Sequence, residues 1–531
     1  MRNVWSGLLL AAAVVVTPAV AVELAAKQVV HKGNGAEVET LDPHKARGVP
    51  ASNILRDLYE GLTSEAPNGD VIPGAAERWE ISEDGTEYTF YLRKNARWSN
   101  GDPVTAADFV AGLRRSVDPA TLSEYSQMLA PILHAEDVIS GKKSPEELAV
   151  EAVDTHVLKV VLKGPTPYFL GLLNHSTTYP IHSPSFVQHG DRFARPGNLV
   201  SNGAYSLAEW VVQSHIRLER NAKYWDDANT TINEVYYYAT EDQASELKRY
   251  RAGEIDYTYE LPYNQLRWIR ENLEDELVIS PYLGIYYFDY NVTRPPFKDN
   301  KALRLALNLA IDRDIITEIV TGAGEIPAYS IVPPGVWNYE PQMPEWAHWT
   351  QEQRLAEARR LYAEAGYGPD DHLHVELRYN THQNHKKISV AIAAMWKQAL
   401  GVRTNLVNQE WKVFLVVRQQ KRVTEVARDA WIGDFNDAFT FAEIFHSTSG
   451  MNNAGYASPV FDELLAKASV ESDLAKRRAM LEEAERVMME DLPVIPVYYY
   501  VTKRLVKPYL DGFEPNVMDH HYTKNWRILA H

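Results

Sequence analysis

Residues 373–407 read LHVELRYNTHQNHKKISVAIAAMWKQALGVRTNLV and carry the clearest fold signal in the chain. Residues 373–379 alternate apolar and polar side chains, which predicts a strand. Apolar residues then recur at helical spacing from Ile388 to Ala399, and Gly401 stands where a helix usually ends. Residues 402–407 follow as a second strand. A strand, a helix and a strand within about 35 residues form a βαβ unit, so the fold class is predicted to be α/β with a partly parallel sheet.

Strand and helix signals alternate along the rest of the chain. They predict strands at residues 88–93 and 494–501, and helices that begin after Thr105 and after Asp473. The sequence contains no internal repeat and no long Gly/Ser linker. Lobes in such a chain would be joined by strands that cross between them.

Composition excludes several classes of protein. A length of 531 residues suits about three domains at roughly 150 residues each. Hydrophobic residues make up 45% and charged residues 24%, which are globular values and exclude a largely disordered chain. A net charge of −17 argues against a nucleic-acid surface, which needs a clustered basic face. Because the chain has no cysteine, disulfides, thiolate metal sites and thiol nucleophiles are excluded.

The first 21 residues are predicted to be a secretory signal peptide. Arg2 supplies a basic start, residues 8–16 form a short apolar run, and Ala19 and Ala21 provide a small-x-small cleavage site. The alternative interpretation is a buried N-terminal helix. Exported proteins held by a lipid carry it on an N-terminal cysteine, which this chain lacks. We therefore expect an unlipidated periplasmic protein that begins at or near Val22.

None of the common catalytic motifs occurs in the sequence. The sequence has no Gly-x-Ser-x-Gly elbow, no His-Glu-x-x-His helix and no phosphate-binding Gly-x4-Gly-Lys-Ser/Thr loop. The pairs His382/His385 and His520/His521 could bind a metal, but neither has an acidic partner at ligand spacing. If they bind no metal, the first pair is interpreted as part of a loop ahead of a helix and the second as part of an exposed C-terminal segment. Nothing in the sequence favours an enzyme or a cofactor.

Eight sequence blocks follow one another in a distinctive order. They are residues 41–43 (LDP), 88–110 (YTFYLRKNARWSNGDPVTAADFV), 202–205 (NGAY), 221–225 (NAKYW), 253–256 (GEID), 310–313 (AIDR), 408–412 (NQEWK) and 497–500 (VYYY). Each block is weak alone, but together and in this order they resemble the peptide-type (family 5) solute-binding proteins of ABC importers. The resemblance extends from about Val29 to the C-terminus.

The resemblance implies a two-lobed periplasmic-binding-protein fold of type II with an additional third domain. On that pattern the first lobe is discontinuous, at residues 22–59, 184–283 and 502–531, the extra domain is 60–183, and the second lobe is 284–501. A short peptide would be enclosed between the lobes by hinge closure and delivered to an inner-membrane ABC permease and ATPase complex. The resemblance implies no catalysis and no cofactor, and we expect a monomer.

Peptide chemistry tells which charged groups such a site needs. An enclosed ammonium requires a carboxylate partner, and an enclosed carboxylate requires Arg, Lys or His. Asp434 falls where the family places its ammonium-binding aspartate. Arg418, Arg428 and His385 match positions around the carboxyl end of the peptide. Without the resemblance, Asp434 would be interpreted as a turn cap and the arginines as solvated charges.

The remaining candidate site residues are mostly aromatic. Tyr and Trp give large contact surfaces with few rotatable bonds, which suits pockets that accept varied side chains, although each could equally be core material. The residues that match lining positions of the family are Tyr125, Tyr259, Tyr282, Tyr287, Trp411, Trp431, Tyr500, Arg47, Val49 and Asp289.

The sequence departs from the family pattern at several of these positions. Gly284 and Ile432 stand where the resemblance implies a disulfide. Arg47 replaces an acidic lining residue, Asp429 stands where a small residue is expected, and Asp289 is one methylene shorter than the usual Glu. These changes alter the charge pattern of the site, so a receptor for murein peptide or another small amphiphile stays open. An exported hydrolase and a periplasmic holdase are the competing hypotheses from other classes.

Overall fold

The computed structural model describes residues 23–46, 48–123, 125–422 and 425–531. Helices and sheets alternate through these ranges, which confirms the α/β prediction. The predicted signal peptide at residues 1–21 and the candidate Arg47 lie outside the described residues, and both stay predictions.

Two strands are much longer than the others and lie near the middle and the end of the chain. In chain order the strands are β1 (Val29–Gly33), β2 (Thr63–Glu65), β3 (Val71–Pro73), β4 (Ala76–Ile81), β5 (Glu87–Leu92), β6 (Val150–Asp154), β7 (Val157–Val161), β8 (Tyr205–Val211), β9 (His215–Arg220), β10 (Glu234–Tyr238), β11 (Leu277–Tyr290), β12 (Ile326–Pro327), β13 (His374–Asn380), β14 (Arg403–Gln409), β15 (Val426–Ile432), β16 (Val494–Leu505), β17 (Leu510–Asp511) and β18 (Arg527–Ile528).

The helices range from one turn to five turns. The α-helices are α1 (Val49–Leu58), α2 (Ala106–Val117), α3 (Ala135–Ile139), α4 (Phe169–Leu172), α5 (Ser183–His189), α6 (Gln243–Arg251), α7 (Leu266–Asn272), α8 (Lys301–Leu309), α9 (Gln351–Glu364), α10 (Gln383–Leu400), α11 (Trp411–Gln419), α12 (Phe439–Ala442), α13 (Pro459–Ala468) and α14 (Leu474–Asp491). A π-helical segment spans Ile315–Thr321, and short 3-10 segments span Pro119–Thr121, Ser126–Leu129, Pro145–Glu147, Ser176–Thr178, Gly190–Arg192, Asp227–Asn229, Tyr263–Gln265, Glu274–Glu276, Glu345–His348, Glu443–Phe445 and Thr523–Asn525.

Local sequence signals explain where several helices begin and end. Thr105 and Asp108 form the predicted capping box at the start of α2. Asp473 accepts hydrogen bonds from two backbone N–H groups in the first turn of α14. Gly401 ends α10 with a φ of 76°, a left-handed conformation that glycine adopts without a Cβ clash. These helix limits follow from the sequence because capping is a local interaction.

The predicted βαβ unit is confirmed. Strands β13 and β14 pair in parallel, from His374 opposite Arg403 to Asn380 opposite Gln409, and α10 connects them. They belong to a six-stranded sheet with the order β12-β16-β11-β15-β13-β14. Two four-stranded sheets have the orders β1-β10-β9-β8 and β4-β5-β7-β6.

The long strands β11 and β16 run through two regions of hydrophobic core. They pair antiparallel from Leu277 opposite Leu505 to Asp289 opposite Val494, with irregular register between Pro281 and Ile285. Leu505 packs in a cluster with residues of α6 and α7, whereas the other end of each strand packs beneath α8 and α10. Crossing strands of this kind are what the sequence predicts for the connection between lobes.

The hydrophobic cores do not separate the predicted extra domain from the predicted first lobe. One cluster contains Phe90 and Leu158 of residues 60–183 together with Leu218 and Val235 of residues 184–283. Separate clusters lie on the two faces of the six-stranded sheet. The domain boundaries themselves stay predictions.

The expectation of an exposed C-terminal histidine pair is wrong. His520 Nδ1 donates a hydrogen bond to Glu65 Oε2 at 2.8 Å, and His521 Nε2 donates to Asp519 Oδ1 at 3.0 Å. Burial lowers the pKa of both histidines. The C-terminal segment is therefore part of the packed fold, and the His520–Glu65 contact ties it to a residue that is distant in sequence.

Candidate functional site

The candidate site lies where β11, β15 and β16 meet at one end of the six-stranded sheet. Gly284 is the direct cross-strand partner of Ile432, the last residue of β15. A Cβ on Gly284 would lie 3.1 Å from the Tyr500 ring and 3.3 Å from the Trp431 carbonyl oxygen, so this corner is tightly packed. Gly284 and Ile432, the two positions where the resemblance implies a disulfide, are therefore direct neighbours across the strands, and here side-chain packing fills the corner between them.

Asp434 lies in the turn that follows β15. Its N–H donates to Thr440 Oγ1 at 3.4 Å, and the Trp431 indole donates to the same oxygen at 3.2 Å. The Asp434 carboxylate has no hydrogen-bond or ion-pair partner among the described residues. Burial raises its pKa to about 6. A half-buried carboxylate without a partner is suited to take a cation from a ligand.

A second acid, Glu443, lies close to Asp434. Burial, together with the charges of Asp434 and Asp437, raises the pKa of Glu443 to about 8. Asp437 is itself neutralised by two hydrogen bonds from Arg477, at 2.6 and 2.8 Å. Sequence reasoning missed Glu443, because its distance from Asp434 along the chain has no helical or strand spacing that would signal contact.

Arg428 provides a buried cation at a different point on β15. It is 8% exposed, its guanidinium donates to Tyr500 Oη at 3.3 Å, and it lies 4.9 Å from the centre of the Tyr286 ring. Within the described ranges it forms no ion pair. His385 lies against the same Tyr286, with 3.3 Å between Nδ1 and Oη. Burial, together with the charge of Arg428, lowers the pKa of His385 to about 2, so the ring is neutral.

Arg418 differs from Arg428 because it already has a carboxylate partner. It forms an ion pair with Asp429, and the two side chains are only 13% and 5% exposed. Asp289 is buried nearby against Asp429, and burial together with the Asp429 charge raises the pKa of Asp289 well above its usual range. Neither arginine is a solvated charge, so that interpretation is wrong for both. The structure brings Arg428 and His385 together and places Arg418 in a separate cluster.

The aromatic candidates fall into three groups. Tyr500 and Trp431 lie at the corner around Gly284, and Tyr282 stands two residues before Gly284 on β11; all three are half-buried. Tyr259 is half-buried beside Arg504, 5.2 Å from ring centre to guanidinium. Tyr287 is 2% exposed and packs against Phe445, so in this structure its ring is part of the hydrophobic core.

Three candidates contribute less to this picture. Tyr125 lies 4.9 Å from the His175 ring, in the region of residues 60–183. Val49 is the half-buried first residue of α1. Trp411 is the first residue of α11.

The described residues hold neither a metal-binding cluster nor a membrane-spanning helix. No group of three or more His, Cys, Asp or Glu side chains in that part of the chain could hold a metal ion. No helix within the same ranges is long and apolar enough to span a bilayer.

Comparison with known proteins identifies relatives over almost the whole length. The family described as "Bacterial extracellular solute-binding proteins, family 5 Middle" matches residues 70–453. The periplasmic oligopeptide-binding protein OppA of Escherichia coli is 44% identical over 514 residues, covering 96% of this chain and 94% of that protein. The periplasmic murein peptide-binding protein MppA of Escherichia coli is 39% identical over 511 residues, with 96% and 94% covered.

Solved structures agree with the sequence relatives. The Haemophilus influenzae OppA complex with the peptide RPPGFSPFR superposes with a TM-score of 0.82 at 39% identity, covering 96% of this chain and all of the other. The Escherichia coli murein tripeptide-binding protein gives a TM-score of 0.84 at 38% identity, with 96% and 100% covered. These neighbours confirm the predicted multi-domain α/β fold of type II. The chain belongs to the bacterial extracellular solute-binding proteins of family 5.

Proposed function

We propose that this protein is a periplasmic receptor that captures short peptides between two lobes and delivers them to an inner-membrane ABC importer. Asp434 carries the proposal, because its half-buried carboxylate has no partner among the described residues. A peptide's α-ammonium would neutralise this carboxylate and form charge-assisted hydrogen bonds with it.

The second charged end of the proposed site is Arg428. Its guanidinium forms no ion pair among the described residues, and the neutral His385 beside it can share a ligand carboxylate. Arg428 and Asp434 are six residues apart along β15 and the turn after it, about 20 Å if extended. An extended peptide of about three to five residues, roughly 10–17 Å long, suits the space between them.

Capture would use the crossing strands as a hinge. Residues 22–59, 184–283 and 502–531 form the proposed first lobe, residues 60–183 the extra domain and residues 284–501 the second lobe. β11 and β16 pass between the lobes, and the irregular register between Pro281 and Ile285 is where bending would be absorbed. The aromatic residues Tyr259, Tyr282 and Tyr500 would then line the closed cleft.

The cellular context follows from the same proposal. The relatives named above are periplasmic solute-binding proteins, which supports export, a binding role and no catalysis. We propose an unlipidated monomer that begins near Val22 after signal cleavage. N-terminal sequencing of the exported protein checks this start.

Murein peptide is the second candidate ligand. It is favoured by the 39% identity to MppA and by the fit to the murein tripeptide-binding protein. A receptor for ordinary peptides and a receptor for murein peptide would share the same α/β fold and differ only in the ligand that the cleft accepts.

The test is to identify what the protein carries. The protein is purified from a periplasmic extract and denatured, and the released small molecules are analysed by mass spectrometry. Short peptides of ordinary residues support the main proposal, and murein peptides would replace it by the second candidate. A cleft without ligand, combined with turnover of ester, glycoside or peptide substrates, would contradict both and favour the hydrolase.

A further inference from the structure

An aromatic stack lies beside Asp434 and joins two distant parts of the chain. The Tyr168 ring lies parallel to the ring of Phe435, the residue after Asp434, with ring centres 4.6 Å apart and planes 7° apart. Tyr168 also stacks on Phe439, at 5.6 Å and 16°. Stacked rings at these distances attract one another beyond the apolar area that they bury. The stack therefore holds the turn that carries Asp434 against a different part of the molecule.

The two sides of the stack belong to separate hydrophobic cores. Tyr168 packs on the core that residues 60–183 share with the predicted first lobe, whereas Phe439 packs on a core built mostly from residues 284–501. In the described part of the chain, no hydrophobic cluster combines residues of these two ranges. Phe435 is only 6% exposed, yet it belongs to none of the clusters that the described residues form. Its burial therefore depends on the Tyr168 ring.

Two further contacts connect the same parts of the chain. A Cβ placed on Gly164 would lie 2.9 Å from Val470 Cγ1 and 3.6 Å from Val470 Cβ. The Arg477 guanidinium lies 5.5 Å from the centre of the Tyr168 ring and is held by a buried ion pair with Asp437. The segment from Gly164 to Tyr168 therefore meets the second part of the chain at more than one point.

Bending of β11 and β16 would form or break these contacts. Residues 60–183 share a core with the predicted first lobe, and the two strands connect that lobe to residues 284–501. Opening around the strands would expose the three stacked rings to water, which costs the apolar burial that the stack provides. Docking of Tyr168 on Phe435 would also fix the turn that carries Asp434.

We propose that Tyr168 is a closure residue: its ring docks on Phe435 and Phe439 when the lobes close, and it slows the release of the ligand. The inference rests on the proposed peptide receptor and adds the contact that holds it closed. Because the stack forms only after the ligand has entered, it acts on the rate of dissociation more than on the rate of association.

The contact is tested first by trapping it with a disulfide. The chain has no cysteine, and the 3.6 Å between the Cβ positions of residues 164 and 470 lies within the range of disulfides. The mature double variant Gly164→Cys/Val470→Cys is stripped of ligand by unfolding and refolding in reductant, then oxidised with and without saturating trialanine. Trialanine speeds disulfide formation by about tenfold or more, because it shifts the population toward the closed form. The oxidised protein keeps its trialanine through dialysis and releases it on reduction.

A matched cysteine pair controls for the chemistry of oxidation. Glu80 and Thr89 are direct cross-strand partners within one sheet of residues 60–183. Glu80→Cys/Thr89→Cys oxidises at the same rate with and without trialanine, because closure does not change the distance between these two positions.

Variants of Tyr168 test the effect on release. Tyr168→Ala removes both stacks, so the rate of trialanine dissociation, measured by stopped flow with a competing peptide, rises about tenfold with little change in association. Tyr168→Phe keeps the ring and releases trialanine at the wild-type rate. A purely structural role would instead lower the melting temperature of the ligand-free Tyr168→Ala protein and leave the dissociation rate unchanged. Should Tyr168→Ala fail to fold, the cysteine pair decides alone.

Three outcomes overturn the inference and leave peptide binding itself standing. Equal rates of disulfide formation at residues 164 and 470 with and without trialanine would mean that the contact does not open. No disulfide there in the presence of trialanine, while the control pair oxidises, would mean that the contact is absent from the bound form. A wild-type dissociation rate in folded Tyr168→Ala would mean that the stack does not retain the ligand. A wild type that binds no tripeptide overturns the proposed function as well.

Discussion

Asp434 is the proposed partner of the ligand's ammonium group, and its ionisation predicts a pH response. Burial raises its pKa to about 6 in the ligand-free protein, and a bound ammonium would lower that pKa because it stabilises the ionised form. Affinity is therefore full above about pH 6.5 and is lost as the pH falls through 6. We expect a loss of about tenfold between pH 7 and pH 5, measured by calorimetry. Asp434→Asn should show no such loss, and an equal loss in that variant would contradict the assignment.

Arg428 is expected to bind the carboxyl end of the peptide. Arg428→Gln leaves a ligand carboxylate without its cation, which should cost on the order of 2–5 kcal/mol in binding free energy for a free-acid peptide. Amidating the peptide removes the same charge from the other partner. The variant should therefore bind acid and amide forms with similar affinities, whereas the wild type prefers the acid. Arg403→Gln, on the exposed face of edge strand β14, serves as the control and keeps the wild-type preference.

Residue roles that depend on local sequence were predictable, and those that depend on pairing across strands were not. The sequence does not distinguish Arg418 from Arg428, since only the fold brings Asp429 to Arg418 and leaves Arg428 without an ion pair in the described residues. His520 and His521 were expected in an exposed segment, but their partners Glu65 and Asp519 hold them inside. For the arginines and for His520 the deciding contact joins elements whose arrangement no local pattern encodes, whereas Asp519 is only two residues from His521.

At the scale of elements, the β11–β15 pair holds the site corner through close packing at Gly284. An added Cβ would lie 2.4 Å from Ile432 Cδ1 and 3.1 Å from the Tyr500 ring, so both side chains must move. Gly284→Ala should lower the free energy of unfolding by about 1–2 kcal/mol and weaken peptide binding through the displaced Tyr500.

Ile432→Val provides the second half of this test, because it removes the nearest of the clashing atoms. Alone it should cost about 1 kcal/mol. The double variant should lose less free energy of unfolding than the sum of the losses in the two single variants, as measured by urea denaturation. Strict additivity would mean that the two positions do not touch.

The elements themselves were largely predictable. The capping box of α2, the Asp473 cap of α14 and the β13–α10–β14 unit were all predicted, because capping and hydrophobic periodicity are local. The full length of β16, which continues to Leu505, was not predicted. Thr502, Lys503 and Arg504 near its end are polar or charged, and they stay in the strand because β11 supplies paired partners as far as Leu277.

At the scale of the whole molecule, we expect a hinge at β11 and β16, because these two strands cross between the proposed lobes. Peptide added to ligand-stripped protein should bring the lobes together and lower the radius of gyration measured by small-angle X-ray scattering. The same addition to Asp434→Asn at an equal peptide concentration should give a smaller change, since fewer molecules are occupied. A radius that does not respond to saturating peptide would contradict closure around these strands.

The central claim is that Asp434 pairs with the ligand's α-ammonium inside the cleft. It is tested by calorimetric titration of wild type and Asp434→Asn with one tripeptide in its free and N-acetylated forms. Asp434→Asn should cost on the order of 2–5 kcal/mol with the free peptide, because it leaves a buried ammonium against a neutral amide. Acetylation removes that charge, so it should weaken binding to the wild type severely and to the variant much less. If acetylation costs both proteins the same free energy, Asp434 is not the ammonium partner and the account of the site is wrong.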